Sequence, residues 1–220
     1  MDFDDFLMDA KLHIETTGRD ETCADDQVAP YEPTTYTVLE RLVEEETITP
    51  SDHLVDYGSG LGRVVIYLVD RTGCRASGVE VVRKFYEKAK KNLEAYEGFL
   101  AEQGRARGGD ANAVDFYNQK AQDFVLPQTA NRLFFFNPFH PKTFQSVMAN
   151  ILESYRAHPR GIRMYFYYPQ DSYIAYLSTL PEVMFVDEID CTDLFPEEDQ
   201  RNRIMIFELE GDDGGNLSDQ

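Results

Sequence analysis

Three glycines at alternate positions constrain this chain more than any other feature. In HLVDYGSGLGRVVIYL, residues 53–68, an apolar run reaches Asp56, Gly58, Gly60 and Gly62 follow, and a second apolar run starts at once. Glycine lets a backbone turn sharply and approach a bound molecule with no Cβ in the way. A strand that ends in such a turn and feeds a helix is a ligand-binding corner of an open α/β sheet, with helix-terminal amides available as donors. The spacing is G-x-G-x-G. A dinucleotide fingerprint, G-x-G-x-x-G, needs glycine where Arg63 stands, and the Gly-Lys-Ser/Thr end of a phosphate-binding loop is missing. About twenty residues further on, Glu80 closes the next apolar run; a carboxylate there accepts the hydroxyls of a ribose and implies a free 2′-hydroxyl.

The pattern on either side extends the α/β reading. Residues 2–15 place Phe3, Phe6, Leu7, Ala10 and Ile14 at helical spacing. A polar stretch, 16–33, ends at Pro33, and a second helix runs from Thr34 or Thr35 to Glu46. Strands are then expected at His53–Tyr57, Ala76–Val81, Ala113–Asn118, Arg132–Asn137 and Ile162–Tyr168. Helices alternate with them at Leu61–Arg71, Val82–Leu100, Pro141–His158 and Asp171–Thr179, and residues 101–112 form a glycine-rich loop. Val183–Asp190 and Arg203–Glu210 are two last strands with no helix between them. The expected fold is Rossmann-like: seven strands, mostly parallel, helices on both faces, and an antiparallel hairpin at one edge. Residues 1–46 read as an N-terminal helical cap or lid, 47–210 as one α/β domain, and 211–220 as a disordered tail.

Charge narrows the partners. Against 21 basic residues stand 40 acidic ones, a net charge of −19. Such a surface repels polyphosphate, which argues against generic nucleic-acid binding, and attracts cationic ligands and basic proteins. No apolar run approaches the roughly 18–20 residues of a membrane span. Cys23, Cys74 and Cys191 are scattered, as are the four histidines, so no metal site is expected and the cysteines read as reduced thiols of a cytoplasmic protein. The oligomeric state is left open.

Val55-Asp56-Tyr57-Gly58-Ser59-Gly60-Leu61-Gly62 is similar to the first motif of the class I S-adenosylmethionine-dependent methyltransferases, and Gly78-Val79-Glu80 to the second. The resemblance covers roughly residues 30–210. It implies that Gly58, Ser59, Gly60 and Gly62 pass under the methionine part of S-adenosylmethionine, that Asp56 organises the loop or the amino group, and that Glu80 holds the ribose. Asp123, with Gln122 beside it, matches the position that meets adenine. Asn137-Pro138-Phe139-His140 resembles the fourth motif of amino-group methyltransferases, (Asp/Asn)-Pro-Pro-(Tyr/Phe), with one proline in place of two. By that likeness Asn137 accepts hydrogens from the target nitrogen and Phe139 packs against the incoming cation. His140 is the residue placed by topology for a general base. Upstream, Tyr31, Glu32, Thr35 and Tyr36 resemble a segment of the Dot1-type lysine methyltransferases that closes over the methionine end of the cofactor. The basic DNA-binding extension of that family has no counterpart here, so a nucleosomal substrate does not follow from the likeness.

Transfer from a sulfonium is an in-line displacement, governed mainly by holding nucleophile, methyl and sulfur in line. An amine acceptor needs only to be neutral; a hydroxyl needs a base. Aromatic rings steady the sulfonium by cation–π attraction, and Tyr31, Tyr36, Tyr57 and Phe139 are placed for it. The expected activity is methyl transfer to a small molecule or protein, nitrogen favoured over oxygen. The alternatives are a non-catalytic nucleotide-binding protein of the same fold, or an NAD-dependent oxidoreductase, against which Arg63 counts.

Overall fold

The computed structural model describes residues 3–22, 30–105 and 114–210. Cys23, the proposed tail 211–220 and most of the glycine-rich connection after residue 105 lie outside the described residues. Two helices open the chain, α1 (Phe3–Leu12) and α2 (Tyr36–Glu45). Strand β1 (His53–Tyr57) follows, then α3 (Arg63–Thr72), β2 (Arg75–Glu80), α4 (Arg83–Glu102), β3 (Val114–Asn118) and a 3-10 turn at Ala121–Asp123. The second half runs β4 (Arg132–Phe136), α5 (Pro141–Ala157), β5 (Ile162–Tyr167), α6 (Asp171–Leu177), β6 (Met184–Asp190) and β7 (Arg203–Leu209).

The seven strands form one sheet in the order β3-β2-β1-β4-β5-β7-β6. The first five are parallel to their neighbours. β7 is antiparallel to both β5 and β6, so the expected hairpin is present with its second strand inserted and β6 on the edge. Central strands such as β1 and β4 are buried on both faces, which is why LFFF at 133–136 reads as a continuous apolar run.

Alternation along the strands divides the core in two. Leu54, Phe134, Tyr165 and Ile206 belong to the cluster that includes Leu39 and Leu42 of α2 and Val65 and Ile66 of α3. Val55, Leu133, Phe135 and Phe166 belong to the other, with Phe144, Met148 and Ile151 of α5. Phe135 lies stacked between Tyr57, at a centroid distance of 5.0 Å, and Phe166, at 4.7 Å. Tyr57 is thus a core residue rather than a ring facing a cation.

α1 departs from its expected face. Phe6, Leu7 and Ala10 point outward, and the buried positions are Asp5, Asp9 and Leu12. The apolar spacing was an incomplete guide: Leu12, just outside that set, and Ile14, within it, enter the core, and the rest of the helix docks through charge. Arg63, 2% exposed, reaches up from the first turn of α3: one amino group pairs with Asp5 and bonds the Thr34 carbonyl, Nε donates to Thr16 Oγ1 at 2.7 Å, and the other amino group lies 3.7 Å from Asp9. Asp9 also accepts from Tyr36 Oη at 2.6 Å and Thr17 N at 2.7 Å. A guanidinium taken from water is tolerable only with such partners on every donor.

Candidate active site

β1 has β2 on one side and β4 on the other, so the chain leaves β1 in one direction and returns on the opposite side. This is the switch point where the loops at the carboxyl ends diverge and leave a cleft. The cleft is lined by the β1 turn (Gly58, Ser59, Gly60), the ends of β1 and β2 (Asp56, Val79, Glu80), the segment Pro30–Thr34, residues 119–122, and Pro138 with Phe139 after β4.

Geometry explains the glycines. Gly58, Gly60 and Gly62 have φ of +84°, +52° and +87°, a region that costs any L side chain. A Cβ on Gly60 would stand 2.5 Å from the Tyr31 ring, and one on Gly58 2.5 Å from Pro138 Cβ. The turn is therefore pressed from both sides, by the upstream segment and by the loop after β4. Gly62 does not face the cleft; it starts α3 against Phe116, 2.7 Å from where its Cβ would lie.

Two carboxylates meet at this corner. Glu80, 7% exposed, accepts from Gly60 N at 2.9 Å through one oxygen and from Val82 N at 2.7 Å through the other. Burial raises its pKa while those amides oppose the rise. Asp56, 3% exposed, has no such support: burial, with Glu80 adding like charge, pushes its pKa up to about 8. Ser59 Oγ is buried without a hydrogen-bond partner. These residues suit S-adenosylmethionine. The cradle has no Cβ, Glu80 keeps spare lone pairs for ribose hydroxyls, and Asp56 and Ser59 lack the partners that an ammonium and carboxylate would supply.

The other expected site residues divide. Tyr31 lines the cleft, its ring tilted against Phe85, its hydroxyl donating to the Thr16 carbonyl at 2.6 Å, and burial raises its pKa. Glu32 and Gln122 line the cleft as well. Tyr36 does not: its ring lies under Arg63, 4.3 Å from the guanidinium carbon, in the α1 cluster. Asp123 sits exposed on the 3-10 turn, outside the cleft wall that Gln119–Gln122 form. Phe139 reaches the cleft edge-on to Tyr57. His140 is exposed and caps α5, its Nδ1 3.4 Å from Lys142 N, which makes it a helix start rather than a base in the cleft.

Asn137 ends β4 with φ +43°. Its Nδ2 donates to the Tyr168 carbonyl and its Oδ1 accepts from Gln170 N at 3.1 Å, so both side-chain polar atoms are engaged by the loop after β5. It lines a second pocket with Tyr167, Tyr168, Phe195, Glu197 and Asp199. That pocket shares Pro30, Glu32, Pro33 and Phe136 with the first, so the two lie side by side against the same residues. Sequence reasoning missed the residues of 195–202 that complete it, since they fall in an irregular link between the last strands. Arg63 was read only as a missing glycine; the signal was the pair Asp5 and Asp9, one helical turn apart. Among the described residues no acidic, histidine and cysteine cluster could hold a metal ion, and no helix is long and apolar enough to cross a membrane.

Comparison with known proteins agrees with this architecture. The solved structures similar to this chain include an RNA methyltransferase from Salinibacter ruber in complex with S-adenosyl-L-homocysteine, at 19% identity and TM-score 0.53, covering 81% of this chain and 94% of that one. A methyltransferase from Thiobacillus denitrificans, in complex with the same compound, matches at 15% identity and TM-score 0.53 over 82% and 93%. The human methyltransferase 10 domain containing protein matches at 12% and TM-score 0.56 over 94% and 93%. In sequence, 61 residues are 34% identical to a histone-lysine N-methyltransferase, H3 lysine-79 specific, from Dictyostelium discoideum; this is 28% of the chain and 3% of that protein's length. The family model described as "Histone methylation protein DOT1" matches residues 27–171, from the segment over the glycine turn through both carboxylates to the start of α6. The chain belongs to that family, within the class I S-adenosylmethionine-dependent methyltransferases.

Proposed function

We propose that this protein transfers a methyl group to an amine nitrogen, a lysine side chain on a basic protein. The observation that carries the reading is the second pocket, which adjoins the first cleft and shares Phe136 with it. Its walls are aromatic, from Phe136, Tyr167, Tyr168 and Phe195, and three carboxylates, Glu32, Glu197 and Asp199, stand around it against two cations, Arg19 beside Glu32 and Arg201 on Asp199, which leaves the rim acidic by one charge. An alkylammonium stem fits such a pocket: the acidic rim draws the cation in, the rings cover its methylenes, and apolar walls favour the neutral amine that must attack. The family and the Dictyostelium relative point to the same acceptor chemistry.

S-adenosylmethionine supplies a methyl group on a sulfonium. The chain's part is binding and alignment. In this reading Glu80 holds the ribose hydroxyls, Asp56 takes the ammonium and gives up its proton, and Ser59 meets the carboxylate. Phe136 and Pro138 border the passage along which the acceptor nitrogen enters. No residue in the cleft is needed as a strong base, and His140 stands outside. The net charge of −19 steers basic proteins toward the surface and nucleic acid away.

The experiment is methyl transfer from tritium-labelled S-adenosylmethionine to core histones, a lysine-rich peptide, and total RNA in parallel. Label on lysine Nζ, located by mass spectrometry, is the expected result. Label confined to RNA, or to protein oxygen, overturns the reading.

A further inference from the structure

Three non-glycine residues among those described have a left-handed backbone: His13, Asn137 and Tyr168. Two of them face each other. Asn137, at the end of β4, donates its side-chain amide to the carbonyl of Tyr168, just past β5. Asparagine tolerates this region; a bulky aromatic residue at φ +50° is a true outlier. Such strain persists only where the surroundings over-determine it, and here they do. Tyr168 N donates to the Arg203 carbonyl at 3.0 Å, and its hydroxyl donates to Asp199 Oδ2 at 2.5 Å. Arg201 pairs with Asp199 at 2.8 Å and covers the ring face at 4.5 Å, while Phe136 meets it edge-on.

This arrangement does two things to the second pocket. It holds the Tyr168 ring as a wall of the pocket, with Arg201 on one face and Phe136 at right angles to it. It also occupies Asp199: that carboxylate accepts from Tyr168, from Arg201 Nε and an Arg201 amino nitrogen, and from Arg201 N, and these donors hold its pKa well below the usual carboxylate range. Of the three carboxylates around the pocket, Asp199 is thereby paired with Arg201 and Glu32 lies 3.9 Å from Arg19, so Glu197 is the one left to face an incoming cation.

We propose that Tyr168 is the specificity-determining residue of the acceptor pocket, its strained backbone tolerated because it sets the ring wall against which an alkylammonium acceptor packs. The inference rests on the amine-acceptor reading above. It differs from the expectation for Asn137, which here acts through Tyr168 as a positioning residue.

The test uses the whole chain saturated with S-adenosylhomocysteine, whose binding is first measured by calorimetry. The probe is n-butylammonium, the bare lysine stem, titrated by NMR against wild type, Y168F and Y168N. Asparagine suits a left-handed backbone, so Y168N relieves the strain while removing the ring and its contacts to Asp199 and Arg201, and Y168F removes only the hydroxyl bond. The expected result is saturable probe binding to wild type, retained within threefold in Y168F, and weakened at least tenfold in Y168N, with S-adenosylhomocysteine affinity unchanged in both. Equal probe binding to wild type and Y168N overturns the proposal, as does failure of the wild type to bind the probe while it binds S-adenosylhomocysteine. If the wild type binds the probe in a Tyr168-dependent way but does not bind S-adenosylhomocysteine, the proposal stands and the methyltransferase reading of the cleft fails. Should Y168N not fold, a tenfold loss in Y168L, which keeps an apolar side chain but no ring, supports the proposal, and an unchanged value overturns it.

Discussion

Replacing Glu80 by glutamine tests the proposed cofactor site at its most constrained point. The side chain is 7% exposed, and its two oxygens accept from Gly60 N at 2.9 Å and Val82 N at 2.7 Å. Glutamine has the same shape but one acceptor oxygen, so its amide end must face a backbone N–H, and one of the two bonds is lost. The remaining lone pairs are those proposed to hold the ribose. Glutamine offers lone pairs on one neutral oxygen only, so one hydroxyl loses its acceptor and the other keeps an uncharged one. A hydrogen bond to a charged group contributes about 1.5–3 kcal/mol, which corresponds to roughly a 10- to 150-fold increase in Kd. The assay is calorimetric titration with S-adenosylhomocysteine at pH 7, alongside thermal unfolding. A second titration with the 2′-deoxy analogue completes a double-mutant cycle: wild type discriminates between the two ligands, and the variant discriminates less. A Kd within threefold of wild type in a folded E80Q protein, with discrimination intact, would refute the reasoning and leave Glu80 as a strut between the two turns.

Other perturbations follow from the same geometry. Asp56, with its pKa raised to about 8, favours the fold in its protonated form. Its contribution is full below about pH 4 and is lost as pH rises through about 8, at up to about 1.4 kcal/mol per pH unit for one proton. Urea midpoints from pH 5 to 9 should therefore fall less steeply in D56N than in wild type. Arg63→Met leaves Asp5 and Asp9 buried without their cation, a change of about 3–5 kcal/mol in stability; denaturant unfolding that shifts by under 1 kcal/mol would show the cluster to be incidental. Gly60→Ala meets the Tyr31 ring at a positive φ and is expected to lower stability by more than about 1 kcal/mol and to weaken S-adenosylhomocysteine binding. Gly98→Ala, in α4 with nothing within 4 Å of its Cβ, should instead stabilise by about 0.5–1 kcal/mol, and thermal unfolding of both variants checks the contrast.

What the sequence made legible is what local chemistry determines. The pattern of apolar runs located all seven strands within a residue or two, most directly at β1 and β4, because a strand buried on both faces has little freedom of composition. The glycine turn was legible because positive φ and close approach leave one residue type. Glu80 was legible from its distance to that turn. The adenine-side match was less secure, since a single acidic residue on a turn carries no spatial information; the chain there turns Gln122 toward the cleft and Asp123 to solvent. Asn137 and His140 were read as chemical groups, and their side chains hold the loop after β5 and the first turn of α5. The insertion of β7 between β5 and β6 was not legible either, because hydrogen bonds between strands distant in sequence do not mark local pattern.

Position 63 joins these lessons. In a dinucleotide turn the third glycine admits close packing of helix on strand. Here Gly62 meets that need one residue earlier, against Phe116, and position 63 is released for a long cation. Arg63 uses the freedom to reach away from the sheet, gathering Asp5, Asp9, Thr16, Thr17 and the Thr34 carbonyl. The same first turn of α3 follows Gly60, against which Tyr31 is pressed. α1, the segment 14–22 and the segment 30–36 are thus held to the residues that follow the glycine turn through a buried ion cluster as well as through the apolar contacts of Leu12, Ile14 and Tyr36. Apolar contact by itself is non-directional. A guanidinium with fixed donors sets register, and register is what places Tyr31 over Gly60 and Glu32 at the junction of the two pockets. The acidic face of α1, unreadable as amphipathic pattern, is therefore part of how this chain builds the roof of its site.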